Sequence, residues 1–241
     1  MSPPPALLAD VVRFSWVDGP GNRFVVFLQG CGFDCLACHN PHTIPRATPR
    51  ARSITVADLV EEIRPAAPFL SGVTVSGGEA TLQAPFVRAL FTALRADDDL
   101  SRLTTFVDTN GSAPRAVWDD LLPVTDGVMV DLKALDPQVH TYLTGHANDL
   151  VLESIPHLAR ARKLHEVRLL LVPGVNDSPE QLGRTAAWLL SVDPELRVKV
   201  IGFRAHGVRA AARGWAEPTP EQREDYRALL TAAGVRDLVV V

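Results

Sequence analysis

All three cysteines of this 241-residue chain, Cys31, Cys35 and Cys38, fall within eight residues, directly after an apolar run that reads as a strand. Three thiols so close together cannot build an even disulfide framework, so they read as ligands or nucleophiles of an intracellular protein. The spacing brings three thiolates to one tight loop. That suits three corners of an iron-sulfur cube whose fourth iron has no protein ligand. The alternative is a closed zinc site that adds His39 as the fourth donor.

The rest of the chain bounds what such a loop can serve. With 46% hydrophobic residues the chain can bury one large core, and a single domain over 1–241 is expected, with residues 1–10 as a proline-rich flexible tail. The net charge of −4 is spread along the sequence, and the basic stripe that phosphate backbones require is missing, which disfavours nucleic-acid binding. No window approaches the roughly 18 consecutive apolar residues of a membrane span, and the start carries no basic leader, so a cytoplasmic location without membrane attachment is expected.

Short apolar runs alternate with amphipathic stretches, the pattern of successive βα units and a parallel sheet. Arg23 to Leu28, Gly72 to Ser76, Thr105 to Asp108, Gly127 to Asp131, Val167 to Val172 and Arg197 to Gly202 read as six strands buried on both faces, with Val235 to Val241 as an extra one. Helices are expected to start at Thr55, Pro85, Pro114 and Pro179, and to run from Leu150 to Arg162 and from Pro220 to Ala233, where Gly234 is the stop.

Polar segments fall where five of these strands end: Gly77-Gly78-Glu79, Asp108-Thr109-Asn110-Gly111, Asp131-Leu132-Lys133, Pro173-Gly174-Val175-Asn176-Asp177 and His206. The C-terminal ends of strands are where α/β sheets and barrels place their ligand sites. Taken singly each segment reads equally well as a turn; together with the cysteine loop they read as one rim.

On these residues the chain resembles the radical S-adenosylmethionine (SAM) superfamily, and within it the glycyl-radical-enzyme activases of the pyruvate formate-lyase activating type. The resemblance rests on Asp18-Gly19-Pro20-Gly21, Arg23-Phe24, Gln29-Gly30-Cys31, Cys38-His39-Asn40, Ser76-Gly77-Gly78-Glu79-Ala80, Asp108 to Gly111, Asp131 to Lys133 and Val172-Pro173-Gly174, and it covers nearly the whole chain. It implies an α/β fold, a partial (β/α)6 barrel, a 4Fe-4S cluster on Cys31, Cys35 and Cys38, and reductive cleavage of SAM to a 5'-deoxyadenosyl radical. The substrate it implies is a glycine Cα in a partner enzyme. A low-potential electron donor of flavodoxin or ferredoxin type and a monomeric state go with it.

The resemblance also implies residue roles. Gly77 and Gly78 would let the backbone approach the methionyl group, with Glu79 either near its amino group or fixing the loop through backbone hydrogen bonds. Cys38, His39 and Asn40 would border the adenine, and Leu132 and Lys133 the SAM carboxylate or ribose, which His206 would also meet. Asp108 and Asp131, with the backbones of Thr109 and Met129, would hold a monovalent cation. Asp18, Gly19, Pro20 and Gly21 would meet the partner's glycine loop. His42, Asn176 and Asp177 are weaker candidates.

Two departures stand out. Ala37 takes a place that is usually aromatic, with Phe33 as one possible substitute for its packing, and Arg204-Ala205 replaces a more apolar pair before His206. No thiol is left for an extra ferredoxin-like domain. The competing readings are a radical SAM enzyme acting on a small molecule or another peptide, and a noncatalytic zinc-binding interaction module.

Overall fold

The computed structural model describes residues 4–241. Nine strands are present among them: β1 (Ala6–Ser15), β2 (Arg23–Leu28), β3 (Arg52–Ile54), β4 (Gly72–Gly77), β5 (Thr104–Thr109), β6 (Gly127–Asp131), β7 (Leu164–Leu171), β8 (Val198–Gly202) and β9 (Leu238–Val240). The helices are α1 (Val56–Ile63), α2 (Ala84–Ala96), α3 (Arg115–Leu121), α4 (Pro137–Thr144), α5 (Asp149–Arg160), α6 (Pro179–Val192) and α7 (Pro220–Ala232). The chain divides into two compact units. The first holds the residues up to Gly32, His42–Thr109 and Ala113–Met129, and the second Phe33–Pro41, Asn110–Ser112 and Val130–Val241.

In the first unit the strand order is β3-β1-β2-β4-β5-β6, and in the second β6-β7-β8-β9, β6 running from one into the other. β1 is antiparallel to β2 and to β3, while β2-β4-β5 and β7-β8-β9 are parallel. This is the open α/β sheet of a partial barrel, with all six expected strands and the extra C-terminal one in place.

The helix starts follow the expected chemistry. Thr55 accepts the amide of Asp58 at the head of α1, and Ser178 and Thr219 form full capping boxes at α6 and α7. Gly234, at φ 105°, ends the turn after α7. α2 turns Phe86, Val87, Leu90, Phe91 and Leu94 inward at a helical spacing, and each such side chain contributes about 1.5–3 kcal/mol of burial before chain entropy is set against it.

Two strands and one helix were not expected. Residues 6–10 belong to β1 rather than to a flexible tail, because Ala6 and Leu8 are buried and pair with β3 and β2; residues 1–3 lie outside the described residues. β3 is a three-residue partner that caps this edge. α4 starts on the Asp136 cap, whose carboxylate accepts the amides of Gln138 and Val139, with Pro137 next in the chain.

Arg23 organises the lower part of the first unit. It is buried, and its guanidinium donates to Thr74 Oγ1, Thr104 Oγ1, and the carbonyls of Val73, Thr104 and Pro20, while lying 4.5 Å above the Phe106 ring. Burial lowers its pKa to about 10, against the opposing field of Asp126, so it remains a cation at neutral pH. One side chain thus ties β2, β4 and β5 to the turn Asp18–Gly21.

Candidate active site

In the first unit the strand pairing sets the rows of side chains. Val12 pairs with Val25, Val25 with Thr74 and Thr74 with Phe106; one step along, Asp10 pairs with Phe27 and Phe27 with Ser76, whose hydroxyl donates to Asp108 Oδ2 at 2.8 Å. These residues share one face of the sheet. The Asp18–Gly21 turn folds onto the same face: Thr74 Oγ1 donates to the Asp18 carbonyl at 2.7 Å, and Ser15 Oγ to Asp18 Oδ2 at 2.5 Å.

The start of the cysteine loop is held by backbone. Gly30 N donates to Thr43 O, Cys31 N to Ile44 O and Glu79 N to Gly30 O, at 2.8–3.0 Å. Gln29 closes the loop's base by donating to the carbonyls of His42 and Pro45, and its own carbonyl accepts from Gln83. His42 itself is exposed and contributes only this carbonyl to the network described. A Cβ on Gly77 would stand 2.2 Å from Leu28 N and O, and one on Gly78 2.2 Å from Gly30 O. In the structure the close approach these glycines allow is to β2 and the cysteine loop.

Glu79 is buried, and its Oε1 accepts from Thr81 N, Thr81 Oγ1 and Thr109 Oγ1 at 2.6–3.0 Å. It caps the turn after β4 and tethers it to the end of β5. Glu79→Leu would strand two hydroxyls and an amide and should cost about 3 kcal/mol or more in chemical denaturation. Glu79→Gln keeps an acceptor and should cost about 1 kcal/mol; equal losses in both variants would refute this role. Met129 is buried in β6.

In the second unit the remaining loop, Phe33–Pro41, is pinned by Asp34 N to Thr144 O and Leu36 N to Leu143 O, both 2.9 Å. Burial pushes the Cys35 thiol up to about 11 despite the nearby Lys133 cation, and raises Cys38 as well, where the Asn40 amide opposes the shift. Lys133 donates to Asp131 Oδ2 at 2.7 Å with only 17% of its side chain exposed. Burial pulls its pKa down, but Asp131 and the two thiols outweigh burial and the net shift is upward.

Leu132 is a core residue whose amide donates to Arg168 O. The end of β6 is fixed by Asn176, which donates to Lys133 O and Leu170 O and accepts from Val172 N, each at 2.8 Å. Asp177 accepts from Gly174 N and from the buried Tyr226 hydroxyl, so both Asn176 and Asp177 act as braces of the loop after β7.

Aromatic side chains pack at both ends of the Phe33–Pro41 loop. Phe33 stacks on His146 at 5.4 Å and meets His140 edge-on. Ala37 packs instead in a cluster with Val172, Phe203, Val208 and Ala212, against which Trp215 lies. The segment after β8 is tied to the loop at two further points: His39 Nε2 donates to Arg204 O at 2.9 Å, and Arg209 pairs with Asp34 at 2.5 Å. His206 lies exposed on this segment.

The sequence reading missed Glu166 and Arg168, which pair at 2.6 Å and are both buried in β7. Their signal was present as two opposite charges two residues apart at the start of an apolar strand. Alternation puts them on one face.

A family model described as the radical SAM superfamily matches residues 25–186. The chain is 34% identical over 237 residues to the pyruvate formate-lyase-activating enzyme of Streptococcus mutans, covering 93% of this chain and 90% of that one. It is 37% identical over 197 residues to the pyruvate formate-lyase 1-activating enzyme of Escherichia coli K12, covering 79% and 78%. Among solved structures, Streptococcus suis SuiB bound to precursor peptide SuiA shares the fold with TM-score 0.69 at 17% identity, over 90% of this chain and 48% of that one. The chain belongs to the radical SAM superfamily, in the family of the pyruvate formate-lyase-activating enzymes.

Proposed function

We propose that this enzyme is a cytoplasmic, monomeric activase that uses a 4Fe-4S cluster and SAM to install a glycyl radical in a partner enzyme of the pyruvate formate-lyase kind. The observation that carries the choice of a protein substrate is the Asp18–Gly21 turn on the sheet face of Ser76 and Asp108. A turn seated there offers its carboxylate and backbone to a peptide laid across that face.

The chemistry of the donor set fits the cluster: Cys31, Cys35 and Cys38 are outside any disulfide and partly buried, with the Lys133 cation beside Cys35 and the Asn40 amide beside Cys38. Cysteines 31, 35 and 38 would hold it. When bound, cluster and SAM supply one-electron cleavage of a sulfonium and a carbon radical able to abstract hydrogen.

The protein's own residues do the rest. Lys133, fixed through its carbonyl by Asn176 and through its ammonium by Asp131, presents a cation to the SAM carboxylate. Cys38, His39 and Asn40 border the adenine, with Phe203 and Trp215 behind the loop to exclude water. Gly77, Gly78 and Glu79 set the loop that borders the methionyl end, and His206 meets the ribose. Asp108, Thr109, Met129 and Asp131 take a monovalent cation, and a low-potential donor of flavodoxin or ferredoxin type delivers the electron. Asp18 binds the backbone of the glycine loop.

The test is anaerobic. The iron- and sulfide-reconstituted, reduced protein is mixed with SAM and inactive pyruvate formate-lyase and examined by electron paramagnetic resonance. A glycine-centred doublet, with methionine released in proportion, is the expected result. SAM cleavage coupled to turnover of a small metabolite, with no protein radical, would overturn the reading.

A further inference from the structure

The exposed apolar surface of the first unit is concentrated at one place. Of nine exposed large apolar side chains among the described residues, five are Val12, Phe14, Trp16, Val17 and Phe69. Trp16 is 77% exposed, Phe69 70% and Val17 67%, and Phe14 meets Phe69 edge-on at 6.4 Å. β1 and the segment before Asp18 supply four of them. Phe69 is brought in by Asn22, whose side-chain amide donates to its carbonyl. Water-facing aromatics at this density mark interaction surfaces rather than ordinary surface scatter.

We propose that this patch is the docking surface for the body of the partner enzyme, outside the glycine loop itself; the inference rests on the activase reading above. Three observations commit it to that occupant. The patch is continuous with the peptide-facing surface: Trp16 and Val17 directly precede Asp18, and Val12 lies in the same row as Val25, Thr74 and Phe106. Its exposed apolar area, roughly 600 Å² from the size of such side chains, is enough for the apolar share, ~450 Å², of a standard non-obligate interface of ~800 Å² per partner, and lies below the ~650 Å² or more per partner of an obligate dimer. It suits the aromatic anchor of a transient complex, in which a few Trp and Phe side chains supply most of the affinity. The charges beside it, Asp10, Arg13 and Arg102, are of mixed sign and do not make the cluster of four or more basic residues that attracts an anionic lipid surface.

A division of labour follows. Asp18 holds the few residues around the reacting glycine, while the aromatic patch holds the folded partner that carries them. A short peptide should need only the first.

The experiment uses Trp16→Ala, Phe69→Ala and the double variant, with activation measured against two probes: whole pyruvate formate-lyase and a short peptide copying its glycine loop. The double variant should raise KM for the whole enzyme about tenfold or more, leave kcat within about twofold, and leave both peptide-dependent SAM cleavage and the melting temperature unchanged. An unchanged KM for the whole enzyme would overturn the inference, as would equal losses with peptide and enzyme. So would a wild-type dimer that the variant dissolves, or wild-type binding to lipid vesicles that the variant abolishes. Absence of any glycyl radical with the wild-type protein would instead sink the activase reading, and this inference with it.

Discussion

Gly78→Ala is expected to yield a folded protein that binds less than half the iron of the wild type after reconstitution and melts several degrees lower. The added methyl would lie 2.2 Å from Gly30 O, 2.6 Å from Gly30 C and 2.6 Å from Thr43 O, all of them backbone atoms that no side-chain rotation can move. Gly30 N and Cys31 N are the donors that anchor the head of the cysteine loop to Thr43 and Ile44, and Gly30 O is the acceptor for Glu79 N. Relief of the clash must therefore displace the residue next to Cys31. Overpacking of this kind costs about 1–3 kcal/mol, which for a chain of this size is roughly 2–12 °C in melting temperature. Gly32→Ala is the matched control, because a Cβ there meets nothing within 4 Å. If Gly78→Ala binds as much iron as Gly32→Ala, the close approach of β4 to the loop is not what the site requires.

That contact also shows where a sequence can and cannot be read. The pair Gly77-Gly78 was legible as a demand for backbone proximity, but not as proximity to which neighbour, since Leu28 and Gly30 are brought there by the parallel pairing of β2 with β4. Five of the six expected strands, β2, β4, β5, β6 and β7, were legible because each is buried along most of its length and so reads as an apolar run; β8 alternates between buried and half-buried residues and was legible from its Val-Lys-Val-Ile sequence. β1 escaped notice for the opposite reason. It is antiparallel and half exposed, it carries irregular pairing between Leu8 and Asp10 and between Val12 and Ser15, and its polar and apolar residues therefore do not alternate cleanly.

Within the site, the thiols and Asp131-Leu132-Lys133 could be named from the sequence because charged or metal-binding residues at a strand end need a partner. The bracing roles could not. Arg23, Gln29 and Asn176 stand out in the sequence, but they act through carbonyls that only the folded chain brings within reach. The absent aromatic at Ala37 is offset from Phe203 and Trp215, far along the sequence, while Phe33, the local candidate, packs against His140 and His146. Local spacing finds ligands, whereas braces are non-local and have no fixed spacing to find.

Lys133→Met is expected to weaken SAM binding to the cluster-loaded protein by about 30-fold or more, with a much smaller effect on folding. In the structure Lys133 and Asp131 neutralise one another in a largely buried setting, where Asp131 keeps the ammonium charged against the pull of burial. Truncating one member of such a pair costs about 2–5 kcal/mol where the remaining charge has to be satisfied in the complex, and each 1.4 kcal/mol is tenfold in affinity. The bound ligand brings a carboxylate of its own, so the variant would place two anions together with one cation removed. In the free protein Asp131, with 30% of its side chain exposed, can recover water, and the stability loss should stay near 1 kcal/mol. Asp131→Asn separates the two functions of the pair: it retains the ammonium for the ligand and should cost less in SAM affinity than Lys133→Met. Calorimetric titration with SAM and chemical denaturation, run on both variants, decide the matter. A Lys133→Met protein that loses stability by several kcal/mol yet binds SAM at the wild-type affinity would make the pair a structural brace and remove Lys133 from the binding site.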